Sequence, residues 1–192
     1  AGILALAPVL GHGVRLDEHD CARVAATGTA VAHCPGSNLK LASGAADVVA
    51  YREQGIRVGI GTDGCSSSND LDMFAAMRLA ANLARLVRED PAALSARDVV
   101  RAATFEGARA LGLGDRIGTV EVGKEADLIA IDLRAPHLVP VHDPYTSVVF
   151  SAGRSDVRHV LVAGQPVVID REPVHVDSRE VMAAAARIVE TT

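Results

Sequence analysis

Tryptophan is absent from the 192-residue sequence, and three Phe and two Tyr hold aromatics to 3%. So sparse a set excludes base-stacking platforms and predicts an aliphatic core. Cysteine is nearly as scarce. Cys21, Cys34 and Cys65 are odd in number and form no CxxC pair. That excludes a disulfide scaffold and points to a reduced, cytoplasmic setting. Positive charge is in the minority: 19 Lys and Arg against 24 Asp and Glu leave a net charge of -5. Bulk electrostatic binding of nucleic acid is thereby excluded. No stretch approaches the roughly 18 uninterrupted apolar residues of a membrane span, so no membrane partner is expected. The opening AGILALAPVLGHG lacks a basic n-region and does not read as a signal peptide. HxH and HExxH are also missing. The visible residues therefore cannot supply three or four metal ligands at a recognisable spacing. Gly36-Ser37-Asn38 and Gly59-Ile60-Gly61 match neither the P-loop nor the dinucleotide fingerprint.

What is present is globular: 49% hydrophobic residues and 22% charged. The first third alternates short apolar runs with helical patterns. Ile3 to Leu10 reads as a strand ending at Gly11-His12-Gly13, and Asp17 to Ala26 as a helix capped by Asp17 and stopped by Gly28. Thr29 to Ala32 reads as a strand ending at His33, followed by a turn-rich loop from Cys34 to Asn38. Ala46 to Gln54 reads as a helix closed by Gly55, and Arg57 to Gly61 as a third strand ending at Thr62-Asp63-Gly64. This β-loop-α alternation predicts a parallel sheet, with polar groups at the C-terminal end of each strand. In parallel α/β proteins that edge carries the active site. A complete (β/α)8 barrel needs about 250 residues, so this sequence can hold only part of one.

Two longer helices follow. Leu71 to Arg88 places Leu71, Phe74, Leu79, Leu83 and Leu86 near one face. Ser95-x-x-Asp98 is a capping-box pattern opening a helix whose buried face uses Val99, Val100, Ala103, Ala110 and Leu111. From Asp115 the texture changes to period-2 runs with tight turns. Residues 117–123 and 126–133 read as strands joined at Gly123-Lys124, and 157–162 with 166–169 as a hairpin. Tyr145 to Ala152 is ambiguous, and an alanine-rich helix from Asp177 or Ser178 to Val189 closes the chain. The expected division is a barrel portion at 1–114, a β-sandwich portion at 115–135 and 156–176, and returning segments at 136–155 and 177–192.

Asp63 is the leading chemical candidate, because a strand-end carboxylate between glycines suits a metal ligand or a proton acceptor. The plainer alternative is a turn residue, or a cap for a helix starting near Asp70. His12 could ligate a metal or orient a water, or be a core histidine with its hydrogen bonds satisfied. His33 shares a loop with Pro35 and Asn38 and reads as architectural. His19 reads as a surface residue, and His137, His142, His159 and His175 as structural.

Five stretches, in order, carry a resemblance over nearly the whole chain: GHGVRLDEHD, VAHCPGSNLKLASG, VGIGTDGCSSSNDLDMFAAMR, ATFEGARALGLGDRIGTVEVGKEADLIAID and VRHVLVAGQPVV. The chain resembles the C-terminal half of the metal-dependent amidohydrolase superfamily. The resemblance is to its branch of methylthioadenosine/S-adenosylhomocysteine deaminases, guanine deaminases and triazine hydrolases. PGSNLKLASG and GTDGCSSSNDLDMF look most like the first of these groups.

The resemblance implies an α/β fold: strands six to eight of a TIM-like barrel with part of a small β-sandwich. It implies that Asp63 binds a divalent metal, zinc or alternatively iron, and helps move a proton. His12 would hydrogen-bond the attacking water and the tetrahedral intermediate, and Ser67 would contact substrate. The family's HxH and HxxE would lie upstream of Ala1, in a missing N-terminal half, so the chain alone is expected to be inactive. The implied reaction is hydrolytic deamination of an adenine-type nucleoside, with guanine or 8-oxoguanine deamination and triazine hydrolysis as alternatives. A non-catalytic half-barrel assembly module is the alternative from another class. A homo-oligomer is expected because open strand edges ask for a neighbour.

Overall fold

The computed structural model describes residues 2–190. Ala1, Thr191 and Thr192, at the ends of the first and last expected segments, lie outside the described residues. The chain opens not on a long strand but on a 3₁₀ turn over Ile3–Leu6. Ala7 closes that turn in the left-handed region, and Pro8 follows with no N–H to continue a ladder. The expected strand over Ile3 to Leu10 is thus cut to β1, Val9–Gly11. Helix α1 spans Glu18–Ala26, and the Asp17 carboxylate accepts from Asp20 N at 2.8 Å as its N-cap. Strand β2 is Ala30–His33.

The segment expected as a loop after β2 is a short helix, α2, Pro35–Lys40. Proline sits in its first turn, where a missing N–H costs nothing. Helix α3, Val48–Glu53, has Asp47 as N-cap and leads to β3, Arg57–Ile60. The order β1-β2-β3 is parallel throughout, with Val9, Ala30 and Arg57 in register.

After β3 come α4, Cys65–Ser68, and the long α5, Met73–Arg88, whose N-cap Asp72 accepts from Phe74 N and Ala75 N. Its buried face uses Phe74, Met77, Ala80, Ala81, Leu83 and Ala84, while Leu71 and Leu86 are exposed, contrary to the expected stripe. Small residues let α5 lie close to its neighbours, which leucines at those positions would prevent. Ser95 caps α6, Ala96–Ala103, through its hydroxyl and Asp98 N. At Thr104, with φ -125° and ψ -90°, the helix breaks and α7, Phe105–Ala110, sets off in a new direction. Leu111, expected inside, is consequently exposed.

Residues 117–123 do not form the expected strand. Gly118 has φ +95°, and a Cβ there would lie 2.7 Å from Ala108 Cβ, so this stretch turns flat against α7. Val120 and Val122 are left exposed. An antiparallel sheet then forms from β4, Leu128–Ile131; β5, Val157–Val162; β6, Gln165–Ile169; and β7, Glu172–Pro173. The ambiguous Tyr145 to Ala152 stretch is helical: α8, Pro144–Thr146, runs into a π turn over Ser147–Ser151. Helix α9, Ser178–Glu190, ends the described chain.

One cluster joins the parallel sheet to the helices through Val31, Val58, Val24, Val48, Met77 and Val99. The core is not wholly aliphatic. Phe74 and Tyr51 are buried in it, and Tyr51 Oη donates to Gly13 O at 2.5 Å. Arg78 ties the later chain to α5, donating to Val149 O at 3.2 Å and Ala152 O at 2.8 Å.

Candidate active site

The parallel ladder continues just past its strands before releasing the site residues. His12 N donates to Ala32 O at 2.8 Å, and Gly61 N to His33 O at 2.9 Å. His12 and Asp63 then both enter the left-handed region, with φ of 66° and 60°. For a non-glycine residue this is uncommon, and such strain gathers at functional sites. The turn aims the two side chains at each other from next-nearest strands. His12 Nε2 lies 3.8 Å from Asp63 Oδ2, with each side chain partly open to solvent.

Several dipoles converge on Asp63. The Ser37 hydroxyl, then the Ser67 hydroxyl and the Gly64 N–H, stabilise its carboxylate and hold its pKa down at about 2. The Gly64 N–H donates to Oδ1 at 2.8 Å. Asp63 is therefore ionised at neutral pH. The cap of α5 is Asp72, so capping that helix is not the task of Asp63. Ser67 lies one helical turn away on α4, where Gly64 O, 3.0 Å from its hydroxyl, competes with the Asp63 carboxylate for its single proton.

His33 ends the middle strand between them and is fully buried. Burial, and then the neighbouring His12, push its pKa down to about 4, so it is neutral. Neither ring nitrogen has a hydrogen-bond partner. The remaining histidines stand apart. His137 Nε2 donates to the buried Asp156 Oδ2 at 3.1 Å, and His159 Nδ1 accepts from Asp170 N.

Sequence reasoning missed two contributors, Ser37 and Asn38. Both are buried on α2. Asn38 Oδ1 meets His12 Nδ1 at 2.8 Å, and Ser37 acts on Asp63. Lys40, farther along α2, donates to Ser66 O and to Asn69 Oδ1, tying α2 to α4. The signals for them were their place after the middle strand and their membership of the PGSNLKLASG stretch that carries the resemblance.

A cavity of about 710 Å³ lies elsewhere, between the parallel sheet, α7 and β4. It is lined by apolar side chains such as Val9, Ile60, Leu111 and Leu128, and none of His12, Asp63 or Ser67 reaches it. Among the described residues no three His, Cys, Asp or Glu side chains come together as a metal shell. Asp63 is one candidate ligand, not a complete site.

The sequence profile of the Amidohydrolase family matches residues 4–167. The chain belongs to the amidohydrolase family. Among its relatives in that family is the 5-methylthioadenosine/S-adenosylhomocysteine deaminase of Syntrophobacter fumaroxidans, 46% identical over 99% of this chain and 43% of that protein. The enzyme of the same name from Desulforudis audaxviator is 49% identical over 94% of this chain and 42% of its own length. In structure, the chain matches an adenosine deaminase from Xanthomonas campestris with bound zinc, at a TM-score of 0.93 and 44% identity, over 95% of this chain and 42% of that one. An atrazine chlorohydrolase from Arthrobacter aurescens complexed with zinc gives 0.88 at 31% identity, over 94% of this chain and 40% of that one. The chain thus spans less than half the length of these relatives. Its α/β fold is part of the family's TIM-barrel-type architecture.

Proposed function

We propose that this chain is the C-terminal portion of a metal-dependent aminohydrolase that deaminates an adenine-type nucleoside such as 5′-methylthioadenosine or S-adenosylhomocysteine. The observation that carries the reading is the facing pair His12 and Asp63 at the C-terminal ends of β1 and β3. The names of the relatives at 46% and 49% identity support the substrate class. On this reading β1, β2 and β3 are barrel strands six, seven and eight, within a barrel portion at 1–114. The antiparallel strands belong to a β-sandwich at 115–135 and 156–176, with returning segments at 136–155 and 177–192. The remaining strands come from an N-terminal half that also carries HxH and HxxE. Free thiols at Cys21, Cys34 and Cys65 support a reduced, cytoplasmic setting, and self-association into a homo-oligomer would cover the remaining open edges.

A divalent ion, zinc by analogy with the solved relatives, would supply Lewis-acid activation of water. Asp63 fits as one of its ligands: the carboxylate is ionised, half-exposed, and has Oδ2 directed into the site rather than to a backbone donor. The low pKa suits a ligand better than a strong proton acceptor. Asp63 takes up a proton only briefly, as the attacking oxygen becomes acidic. His12 stands across the site and hydrogen-bonds that oxygen as it adds to the amino-bearing carbon. Asp63 passes that proton to the amino nitrogen, and collapse of the tetrahedral centre breaks the C–N bond and releases ammonia. Ser67, on α4, contacts the substrate through the lone pairs that its own hydrogen bond leaves free.

The test is ammonia release by the complete, zinc-loaded polypeptide from methylthioadenosine, S-adenosylhomocysteine, adenosine and guanine, beside chloride release from a chlorotriazine. Preference for the thioether nucleosides is expected. Preference for guanine or triazine would replace the substrate assignment. No turnover of any of them would point to a non-catalytic assembly module.

A further inference from the structure

The two residues of the facing pair are held by one short helix. Asn38 and Ser37 are neighbours in sequence, both are buried, and each reaches a different partner: His12 Nδ1 for the first, Asp63 for the second. A proline in the first turn of α2 and the Lys40 ties to α4 limit the ways this helix can shift. His12 itself is exposed on one side, so packing alone does not orient its ring. Among the described residues, the side chains that meet its ring are Asp63 and Asn38.

We propose that Asn38 is a positioning residue: its amide oxygen accepts from His12 Nδ1–H, fixing the tautomer whose bare Nε2 lone pair faces Asp63 across the site. The hydrogen bond made by one ring nitrogen decides what the other can do. With Nδ1 donating, Nε2 accepts, and a water or hydroxyl between His12 and Asp63 meets an acceptor on both sides. His12 then takes a hydrogen bond from the attacking oxygen instead of giving one to it. Ser37, at the adjacent position, acts on the Asp63 carboxylate from the same helix, so one short element bears on both residues.

Asn38 is also an expensive choice for this place. Its Nδ2 is buried without a partner. An apolar residue would fill the space without that penalty. The amide is retained for what its oxygen does at His12. The inference rests on the proposed deaminase only where it speaks of an attacking oxygen; the tautomer is independent of it.

The experiment is long-range 1H–15N NMR of the full chain labelled in histidine nitrogen, at a pH where the ring is neutral, with the His12 signals assigned by their loss in His12→Asn. The expected result is a single Nδ1–H tautomer in the wild type. An Nε2–H tautomer there would mean the amide donates, and overturns the proposal without need of any variant. Asn38→Ala should give a mixture of tautomers, and Asn38→Asp, which can only accept, should restore Nδ1–H. Unchanged tautomer in Asn38→Ala also overturns it. In the complete enzyme Asn38→Ala should lower kcat about 10- to 100-fold with little change in KM, and Asn38→Asp should recover most of it. A wild type that deaminates nothing would sink the function proposed above, while the NMR result would still decide the role of Asn38.

Discussion

Gly59 on β3 and Gly107 on α7 meet backbone to backbone: a Cβ on Gly59 would lie 3.1 Å from Gly107 Cα. The contact seats α7 directly on the strand that leads to Asp63. Because the nearest atom is main chain, the neighbour cannot simply rotate away. Gly59→Ala should destabilise the fold by about 1–3 kcal/mol, and Gly59→Val by more. Urea unfolding of the two variants beside the wild type checks this; a neutral Gly59→Val would refute the close approach.

Asp63→Asn separates charge from backbone. Asparagine tolerates the left-handed conformation that this position holds. The variant should therefore keep its circular dichroism and melting temperature while the complete enzyme loses activity by at least about 100-fold. His19→Ala, on the exposed face of α1, should leave activity unchanged. Equal activities for the two variants would remove Asp63 from the site.

His33 gives the fold a pH dependence. Its folded pKa, about 4, lies below the ordinary 6.5, because burial disfavours the charged ring. The sign follows from linkage: the unfolded chain binds the proton more readily. Stability is full above the unfolded value and falls as pH drops through the window from 6.5 to about 4. A gap of that size amounts to on the order of 3 kcal/mol. Urea midpoints across this window should fall in the wild type and flatten in His33→Gln. Parallel curves for the two proteins would contradict the assignment.

Arg78 fastens the π turn to α5 through two carbonyls. Hydrogen bonds from a charged donor are worth about 1.5–3 kcal/mol each. Since this guanidinium is partly buried, Arg78→Ala should destabilise by about 2 kcal/mol and Arg78→Lys by less. Hydrogen exchange should show the loss first at Ala152 and in the π turn. Protection unchanged there would mean the tie is not needed.

The parallel half of the fold was legible because its signals are local. Asp17 and Ser95 cap the helices where their side chains predict, and Gly28 and Gly55 take the positive φ their stop positions require. The failures share a cause, which is tertiary contact overriding local pattern. Gly118 reads as one residue of a strand until Ala108 is seen pressed against it. Leu71 and Leu86 have helical spacing, yet the alanines of α5 take the buried face because the neighbours come close. At the site, His12 and Asp63 were visible as strand-end polar groups. Ser37 and Asn38 were not, because the residues Pro35 to Asn38 look like turn formers and are in fact a helix. No period-based reading distinguishes one turn of helix from a loop.

The left-handed backbone at His12 and Asp63 bears on how this chain responds to selection. A non-glycine residue in that conformation costs roughly 1–2 kcal/mol that glycine does not. Glycine at position 12 or 63 would relieve the cost at once. That gain offsets the lost hydrogen bonds to Asn38 and from Gly64, so a library screened for heat resistance alone would tolerate His12→Gly and Asp63→Gly. Screened for turnover in the complete enzyme, the same library would purge both. His12 and Asp63 share left-handed backbone with Ala7, Ala42 and Glu89, among others, and differ from these in that selection for turnover, not the fold, would hold their side chains.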